Sequence, residues 1–301
     1  MKYCLFFIFL FSISVTLFCQ IDLSLKLEKG QTYHKFTNNL TTIIESEGGS
    51  EVRTITTEKG GFSFKVLEDR DSIYLMETRF IHFSLKVETA DGVTFNSSEK
   101  DDPTDVMSTI LRKFVNKPFK VLMRKDYTWK ETYGLDSIFL HSTDDYGLSP
   151  VIKHQVDSVM LAGVKDMSRV DAALTAVLYG SKKMFPAEVW TSQYITEHVV
   201  PTKDSCTYYL AETTGDYMTI KGTGFVESLK DQSIDAGTST VYDLQGNIDI
   251  VAKYNKSTHW IREAMIKTEI SGKAESISIE TKTEKKTVPI RIITQATITD
   301  H

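Results

Sequence analysis

The feature that most constrains the fold is an alternation of apolar and polar residues with a period of two. Successive side chains of a strand point to opposite faces, so this alternation is typical of strands with one buried face. The pattern covers residues 20–99 and returns over residues 189–299. We therefore expect both regions to be strand-rich. The predicted buried positions are Ile21, Leu23, Leu25, Leu27, Phe62, Phe64, Val66, Ile81, Phe83, Leu85, Val87, Tyr208, Leu210, Ile248, Ile250, Ala252, Trp260, Ala264, Ile266, Ile270, Val288, Ile290 and Ile292.

Turn signals divide these regions into neighbouring strands. Gly48-Gly49, Gly60-Gly61 and Asp91-Gly92 punctuate the first region, and Gln245-Gly246-Asn247 marks a hairpin turn in the second. Short turns between alternating segments favour antiparallel pairing. The predicted fold class is α+β and strand-dominated, with a central helical segment packed against antiparallel curved sheet. The two regions form either two halves of one large sheet or two separate sheets.

Helical periodicity interrupts the strands in the middle of the chain. We predict a helix over residues 103–116, with Asp102 as its N-cap, Pro103 at its first position and Asp105 as a negative charge in its first turn. An aromatic hairpin follows over residues 119–133. The apolar stripe of the predicted helix consists of Val106, Ile110, Leu111 and Phe114.

A second helical segment is predicted over residues 135–183, in two or three pieces. Ser149-Pro150 begins one piece, and Ser168 and Asp171 have the spacing of a capping box before another. Gly180 is a suitable stop. Apolar stripes at helical spacing are interpreted as core contacts.

The amino terminus predicts export. Lys2 gives a positive start, residues 5–18 are an almost unbroken apolar run, and polar residues follow from Asp22. This is the layout of a signal peptide. As a helix the run would reach about 21 Å, too short for a bilayer core of roughly 30 Å. We expect residues 1–19 to be removed, leaving residues 20–301 as a single α+β domain without a transmembrane span.

The predicted cleavage site lies between Cys19 and Gln20. Lipid attachment at Cys19 is the alternative, which would make the product an outer-membrane lipoprotein. A lipid attachment signal favours a small residue before the cysteine, whereas Leu17 and Phe18 precede it here. Ordinary cleavage is therefore favoured, with a periplasmic or extracellular product.

Composition and charge narrow the range of partners. With 41% hydrophobic and 25% charged residues the chain has globular proportions. Its net charge of −5 is spread without a basic stripe, so nucleic acid is not an expected partner. Cys4 and Cys19 lie in the signal, which leaves Cys206 alone and unable to form an internal disulfide. Cys206 is interpreted as a small buried hydrophobe, with a nucleophilic thiol as the alternative.

No stretch carries a signature of catalysis, metal binding or cofactor binding. The acidic groups at residues 101–105 and at Asp144-Asp145 lack the ligand order of a calcium loop. No Gly-x-Ser-x-Gly elbow is present, and Gly222-Thr-Gly224 is too short for a phosphate loop. We therefore expect no cofactor and no metal, and assign no catalytic residue. No two histidines have the short spacing of a zinc site; they are His34, His82, His141, His154, His198, His259 and His301.

Several short patches carry a family resemblance. They are residues 25–33 (LKLEKGQTY), Pro118-Phe119-Lys-Val121, Tyr133-Gly134-Leu135 and the predicted turn Tyr242-Asp243-Leu-Gln-Gly246. On these patches the chain resembles a family of uncharacterised exported proteins from Bacteroidetes, a domain of unknown function. Lys125-Asp126 departs from the pattern, where the family more often has a glycine turn. The resemblance implies an envelope or secreted location and supplies no activity.

The leading functional hypothesis is an exported, non-enzymatic protein that binds an apolar ligand such as a lipid, or an envelope partner. A sheet that is apolar on its concave side and covered by helices is suited to an apolar ligand, although a larger core also explains the excess of apolar residues. The alternatives are a hydrolase with a scattered, motif-free site and a surface structural protein.

Overall fold

The computed structural model describes residues 23–102, 104–140, 188–197, 200–229, 232–235, 238–278 and 285–301, together with residues 147, 149, 150 and 153. Within these residues thirteen strands form one antiparallel sheet that does not close on itself. The predicted strand-dominated antiparallel fold is thereby confirmed. Of the two arrangements left open by the sequence, the protein adopts the single sheet.

The first half of the sheet, called the N-terminal half below, carries two short helices, α1 (Val106–Phe114) and α2 (Leu135–Leu140). Its strands are β1 (Thr32–Glu47), β2 (Ser50–Arg70), β3 (Ile73–Thr89), β4 (Gly92–Ser97), β5 (Pro118–Arg124) and β6 (Trp129–Tyr133). The second half is called the C-terminal half. Its strands are β7 (Val189–Glu197), β8 (Pro201–Thr213), β9 (Tyr217–Ser228), β10 (Gln232–Asp235), β11 (Thr238–Asn255), β12 (Ile261–Ser278) and β13 (Lys285–Thr299).

The two halves are joined by the first and last strands. The sheet order is β6-β5-β3-β2-β1-β13-β12-β11-β9-β8-β7, with β4 beside β3 and β10 beside β11. β1 pairs with β13 from Phe36 opposite Thr299 to Glu45 opposite Ile290. The chain therefore begins and ends its strands in the middle of the sheet, and β6 and β7 form the ends of the strand order.

The sheet is strongly curved. Tyr127, in the turn between β5 and β6, lies six strand positions from Tyr254 on β11, which is about 29 Å in a flat sheet. Their ring centroids are only 6.3 Å apart, and Tyr127 also stacks on Trp260 at 6.0 Å. The sheet must therefore curl until its two halves meet, and the buried side chains lie on the concave face. We call this the inner face and the opposite one the outer face.

Residues 23–29 close one end of the curved sheet. The Leu25 amide donates to the carbonyl of Lys125 at 2.7 Å, and the Lys26 amide donates to that of Thr258 at 2.9 Å, so the segment bridges turns of both halves. The buried positions predicted here, Leu23, Leu25 and Leu27, are confirmed. The predicted strand is wrong, because the backbone pairs with loops and with the Tyr74 hydroxyl instead of a neighbouring strand.

The predicted first helix is present with a different N-cap. The side chain of Asp105, not Asp102, accepts from the Ser108 amide at 2.9 Å and caps α1, because the helix begins at Val106. Asp102 instead accepts from the Thr104 amide in the preceding turn at 2.9 Å. Within the predicted stripe Ile110, Leu111 and Phe114 are buried and Val106 is 43% exposed. The predicted hairpin over residues 119–133 corresponds to β5 and β6.

Two of the four predicted turns are wrong. Gly48-Gly49 and Asp91-Gly92 do lie at hairpin turns. Gly60-Gly61 lies inside β2, where the register with β3 shifts, because glycine also suits a bulge. Residues 245–247, which were predicted to form a turn, lie inside β11. Glycine is needed there for close packing, because a Cβ atom on Gly246 would overlap the carbonyl oxygen of Glu269 on β12.

Most of the second predicted helical segment lies outside the described residues. α2 covers its beginning, and the amide of Lys153 donates to the carbonyl of Ser149 at 2.9 Å, as expected for a helical turn at Ser149-Pro150. Ser168, Asp171 and Gly180 fall outside the described residues, as does the predicted signal over residues 1–19.

Candidate functional site

The inner face of the N-terminal half is built of interlocking aromatic rings. Phe80 is fully buried, and its ring centroid lies 5.1 Å from that of Phe62, 4.8 Å from Phe83 and 5.1 Å from Phe119. The ammonium of the buried Lys35 lies 5.6 Å from the centroid of the Phe62 ring, a cation–π distance. Helix α1 packs beside β3 and β4 with its buried side chains in the same core. Side chains of this half therefore fill their own interior.

The inner face of the C-terminal half is built of smaller side chains. Across β9, β11, β12 and β13 it carries aliphatic residues and glycines at alternate positions. No Phe is among its buried residues within the part of the chain that the structure describes, although Trp190, Tyr208 and Tyr254 are buried. Away from these rings, the buried inner face of this half is mainly aliphatic. Its buried aliphatic residues include Ile220, Val226, Leu244, Ile248, Ile250, Ala252, Ile261, Ala264, Ile266, Ile270, Ala274, Ile290, Ile292, Ala296 and Ile298.

Polar side chains gather at the β7–β8 edge of this apolar face. Strand pairing places Tyr194 opposite Asp204 and Thr196 opposite Thr202. Alternate residues of β8 share one face, so Thr202, Asp204, Cys206 and Tyr208 all point inward and all are buried. These six side chains are called the polar cluster below: Tyr194, Thr196, Thr202, Asp204, Cys206 and Tyr208.

Asp204 organises one side of the polar cluster. Its carboxylate accepts from the Thr196 hydroxyl at 2.9 Å and from the Thr202 hydroxyl at 2.8 Å. It is 4% exposed, so these hydrogen bonds replace water that the buried carboxylate has lost. The threonines of β7 and β8 therefore hold the acid at a fixed place beside Tyr194.

Tyr208 occupies the centre of the polar cluster. Its side chain is fully buried, its ring stacks on Trp190 at 5.6 Å, and its hydroxyl has Cys206 and Tyr194 as polar neighbours. The ring crosses over Gly222 on β9, where a Cβ atom would overlap it. Burial, and then the neighbouring Cys206, raises the pKa of Tyr208, so the hydroxyl stays protonated at neutral pH.

Cys206 lies beside Tyr194, whose hydroxyl is 3.7 Å from the Cys206 Sγ. The thiol is 2% exposed, which confirms the prediction of a small buried hydrophobe. Burial raises the pKa of the thiol. A raised pKa leaves little thiolate at neutral pH, so the position is unsuited to the nucleophilic role that the sequence left open.

The outer face is polar and carries ion pairs between neighbouring strands. Arg291 lies 2.6 Å from Glu269, and Lys253 lies 3.6 Å from Glu263. Two shallow recesses of about 260 and 200 Å³ share Lys59 on this face and are lined mainly by polar side chains. The apolar surface of the sheet is therefore on the inner side.

Several residues singled out in the sequence lie outside the part of the chain that the structure describes. Cys19 and Gln20, the predicted cleavage site, lie outside the described residues, as do Asp144-Asp145 and three of the histidines. Over the described ranges, no three His, Cys, Asp or Glu side chains cluster closely enough to hold a metal ion. Nor does any helix within them have the length and apolar character needed to cross a bilayer. The acidic group of residues 101–105 lies at the start of α1, where Asp101 pairs with Arg112 and Asp102 and Asp105 accept hydrogen bonds from backbone amides.

Sequence reasoning missed Tyr194, Asp204 and Tyr208 as a group. The only local signal was the row of buried alternate positions on β8, which mixes polar and apolar side chains. That row becomes distinctive only when the pairing of β7 with β8 places Tyr194 beside it.

Comparisons with known proteins bear on the fold. No curated protein matches the sequence. The structure is similar to that of lipovitellin, solved in a study of lipid–protein interactions, with a TM-score of 0.50, 8% sequence identity and 92% of this chain covered. This chain spans 25% of the lipovitellin chain. The outer membrane protein OprG from Pseudomonas aeruginosa aligns over 92% of this chain and 100% of its own, with 7% identity and a TM-score of only 0.26.

Family membership follows from the sequence itself. A family profile matches residues 71–261, which span β3 to the start of β12 and include the whole polar cluster. The chain belongs to DUF6263, a family of unknown function.

Proposed function

We propose that this protein is a non-enzymatic binding protein that holds an apolar ligand of the lipid class against the inner face of the C-terminal half. The observation that carries the proposal is the combination of a concave apolar face with a few buried polar groups at one edge. Ligand sites are typically concave and mainly apolar, with a small number of polar groups that fix orientation. Each ligand methylene moved from water to such a face contributes about 0.8 kcal/mol.

The fold is compatible with this proposal. Lipovitellin, which shares the fold, is described for its lipid–protein interactions. At 8% identity the likeness concerns the fold alone. The support for a ligand therefore comes from the small side chains and the polar cluster of this chain.

The first test asks whether the protein carries a ligand. The protein is purified from its own source without detergent, and its mass is measured under native and denaturing conditions. We expect a discrete added mass in the native spectrum and a matching apolar molecule in an organic extract. A protein that has no extractable molecule, and that does not enhance the fluorescence of 1-N-phenylnaphthylamine, would contradict the proposal.

A matched pair of variants locates the site. Ala264 is buried on the inner face, and its neighbour Met265 is 37% exposed on the outer face. Ala264→Phe fills inner space and is expected to abolish probe binding, whereas Met265→Phe leaves it unchanged. Circular dichroism confirms folding of both variants. Equal binding by the two variants would place the ligand elsewhere.

We further propose that the protein acts outside the cytoplasm. The support is the amino-terminal pattern of a positive residue, an apolar run and a polar boundary at residues 1–22. Mass spectrometry of the mature protein is expected to find Gln20 as its first residue. A diacylglyceryl group on Cys19 would contradict ordinary cleavage and indicate a lipid anchor.

A further inference from the structure

A groove crosses the outer face of the sheet from β13 to β4, and we call it the transverse groove. Strand pairing aligns one side chain from each of five neighbouring strands in a row perpendicular to the strands. All five line the two recesses of about 260 and 200 Å³, which meet at Lys59. With strands about 4.8 Å apart, the row is about 19 Å long. The five side chains of this floor are Thr297, Asn38, Lys59, Ser84 and Ser97.

Aromatic rings form the sides of the transverse groove. On one side Phe36 and His82 lean towards each other over Gly61, and their near-parallel rings have centroids 5.9 Å apart. Glycine permits this, because a Cβ atom on Gly61 would lie 2.7 Å from the Nδ1 atom of His82 and 3.0 Å from a carbon of the Phe36 ring. On the other side the ring of Phe95 is 49% exposed. The groove therefore combines a polar floor with apolar ring surfaces.

The backbone beneath the groove is not available to a ligand. β1, β2 and β3 each pair with strands on both sides, so the sheet itself uses their N–H and C=O groups. A peptide cannot add to them as a further strand, and recognition must come from side chains. Hydroxyl, amide and ammonium groups spaced about 4.8 Å apart match a long ligand that carries many hydroxyl groups. A linear oligosaccharide has this character, with hydroxyl groups around each sugar ring and C–H bonds on its faces that pack on aromatic rings.

Lys59 determines the charge that the groove favours. Within the described residues its ammonium has no ion pair, and it lies where the two recesses meet. Lys86, the other lysine of the groove, is paired with Glu88 at 3.0 Å. Glu99 lines only one of the two recesses. The middle of the groove therefore favours a ligand with a carboxylate at that place.

We propose that the transverse groove binds a linear acidic oligosaccharide. A carboxylate of the sugar chain pairs with Lys59, its hydroxyl groups bond to the floor, and its rings pack against Phe95 on one side and Phe36 and His82 on the other. The groove lies on the opposite face of the sheet from the proposed apolar ligand. This inference is therefore independent of the proposed function, and either can fail without the other.

The test compares two hexasaccharides of the same linkage, titrated into the protein by isothermal titration calorimetry at low ionic strength. Hexamannuronate carries a carboxylate on each sugar, and mannohexaose carries none. Wild type is expected to bind hexamannuronate about threefold more tightly, the effect of one exposed ion pair. Lys59→Met should remove this difference. Lys221→Met, which changes an exposed lysine on the outer face of β9, is the control and should preserve it.

A second pair of variants tests the ring surfaces. Phe95→Ala is expected to weaken both hexasaccharides about fivefold, because one ring contact is lost. Phe225→Ala is the control, because Phe225 is 44% exposed on the outer face of β9, and it should change neither affinity. Circular dichroism confirms folding of all four variants.

Three outcomes would overturn the inference. The first is failure of wild type to bind either hexasaccharide, and the second is tighter binding of mannohexaose than of hexamannuronate. The third is equal behaviour of the groove variants and their controls, which would mean that the sugar binds outside the transverse groove.

Discussion

The N-terminal and C-terminal halves bury their inner faces with different side chains. In the N-terminal half, Phe62, Phe80, Phe83 and Phe119 interlock with one another. In the C-terminal half, aliphatic side chains and glycines line the sheet, and the polar cluster lies at its edge. Large interlocking rings specify one packing arrangement, whereas a smooth aliphatic surface accepts varied apolar shapes. The comparison fits the proposal that the first half mainly stabilises the fold and the second half holds the ligand.

The largest loss of stability is expected from removing a buried ring of the N-terminal half. Phe80→Ala removes a fully buried ring that contacts three others, and should lower the free energy of unfolding by about 3–5 kcal/mol. Urea unfolding at neutral pH measures this. The matched change Phe95→Ala removes a ring that is 49% exposed and should alter stability by less than about 0.5 kcal/mol. Equal losses of unfolding free energy in the two variants would contradict the stabilising role of the N-terminal half. So would a loss of probe affinity in folded Phe80→Ala.

A smaller loss of stability is expected when Gly246 on β11 is replaced. Gly246→Ala places a Cβ atom onto the Glu269 carbonyl and forces β11 and β12 to shift, which should lower stability by about 1–3 kcal/mol. Because the shift reshapes the inner face of the C-terminal half, probe affinity should also fall. Gly215→Ala, with open space around the new methyl group, is the control and should be neutral. Unchanged affinity in a destabilised Gly246→Ala would argue against binding on this half.

The smallest effect is expected at the cap of α1. Asp105→Ala should lower stability by about 1 kcal/mol at pH 7 without changing probe affinity. The hydrogen bond from Lys100, and then that from the Ser108 amide, hold the pKa of Asp105 well below its ordinary value of 3.8. A lowered pKa in the folded state stabilises the protein above pH 3.8, and this stabilisation declines as the pH falls further.

The pH dependence supplies the check on that cap. In urea unfolding series from pH 7 to pH 2, the difference between wild type and Asp105→Ala should shrink below the ordinary pKa. Asp101→Ala is the control, because the Asp101 side chain is 93% exposed and its ion pair with Arg112 lies at the surface. A difference that stays constant to low pH would mean that the carboxylate charge does not contribute.

Local sequence patterns predicted the elements of the fold but not how they connect. Alternation identified many of the buried positions, including Leu23 and Leu25 in a segment that has no strand partner. It was wrong for Ile81, Leu85 and Val87, which are only partly buried, and Ile81 lies where the register of β3 with β2 shifts. Gly48-Gly49 and Gly246 look alike in sequence, yet one lies at a turn and the other against a neighbouring strand. Glycine suits both places, and only the partner strand distinguishes them.

The candidate site was less predictable than the fold. Tyr208 in this site packs between Trp190 on β7 and Gly222 on β9. Neither residue stands in a sequence pattern that predicts this contact. No spacing rule joins such residues, because strand pairing brings them together. The apolar ligand hypothesis came from an excess of apolar residues, and the structure places many of those residues on the buried inner face of the sheet.

The pairing of β1 with β13 has a consequence for synthesis. Phe36 meets Thr299 only after the more than 260 residues between them have been synthesised, and ten residue pairs depend on β13. Until then β1 offers an open edge at which another nascent chain can add a strand and start aggregation. Contacts so distant in sequence also slow folding. The edge of β1 that pairs with β13 is therefore the last part of this strand to find its partner during synthesis.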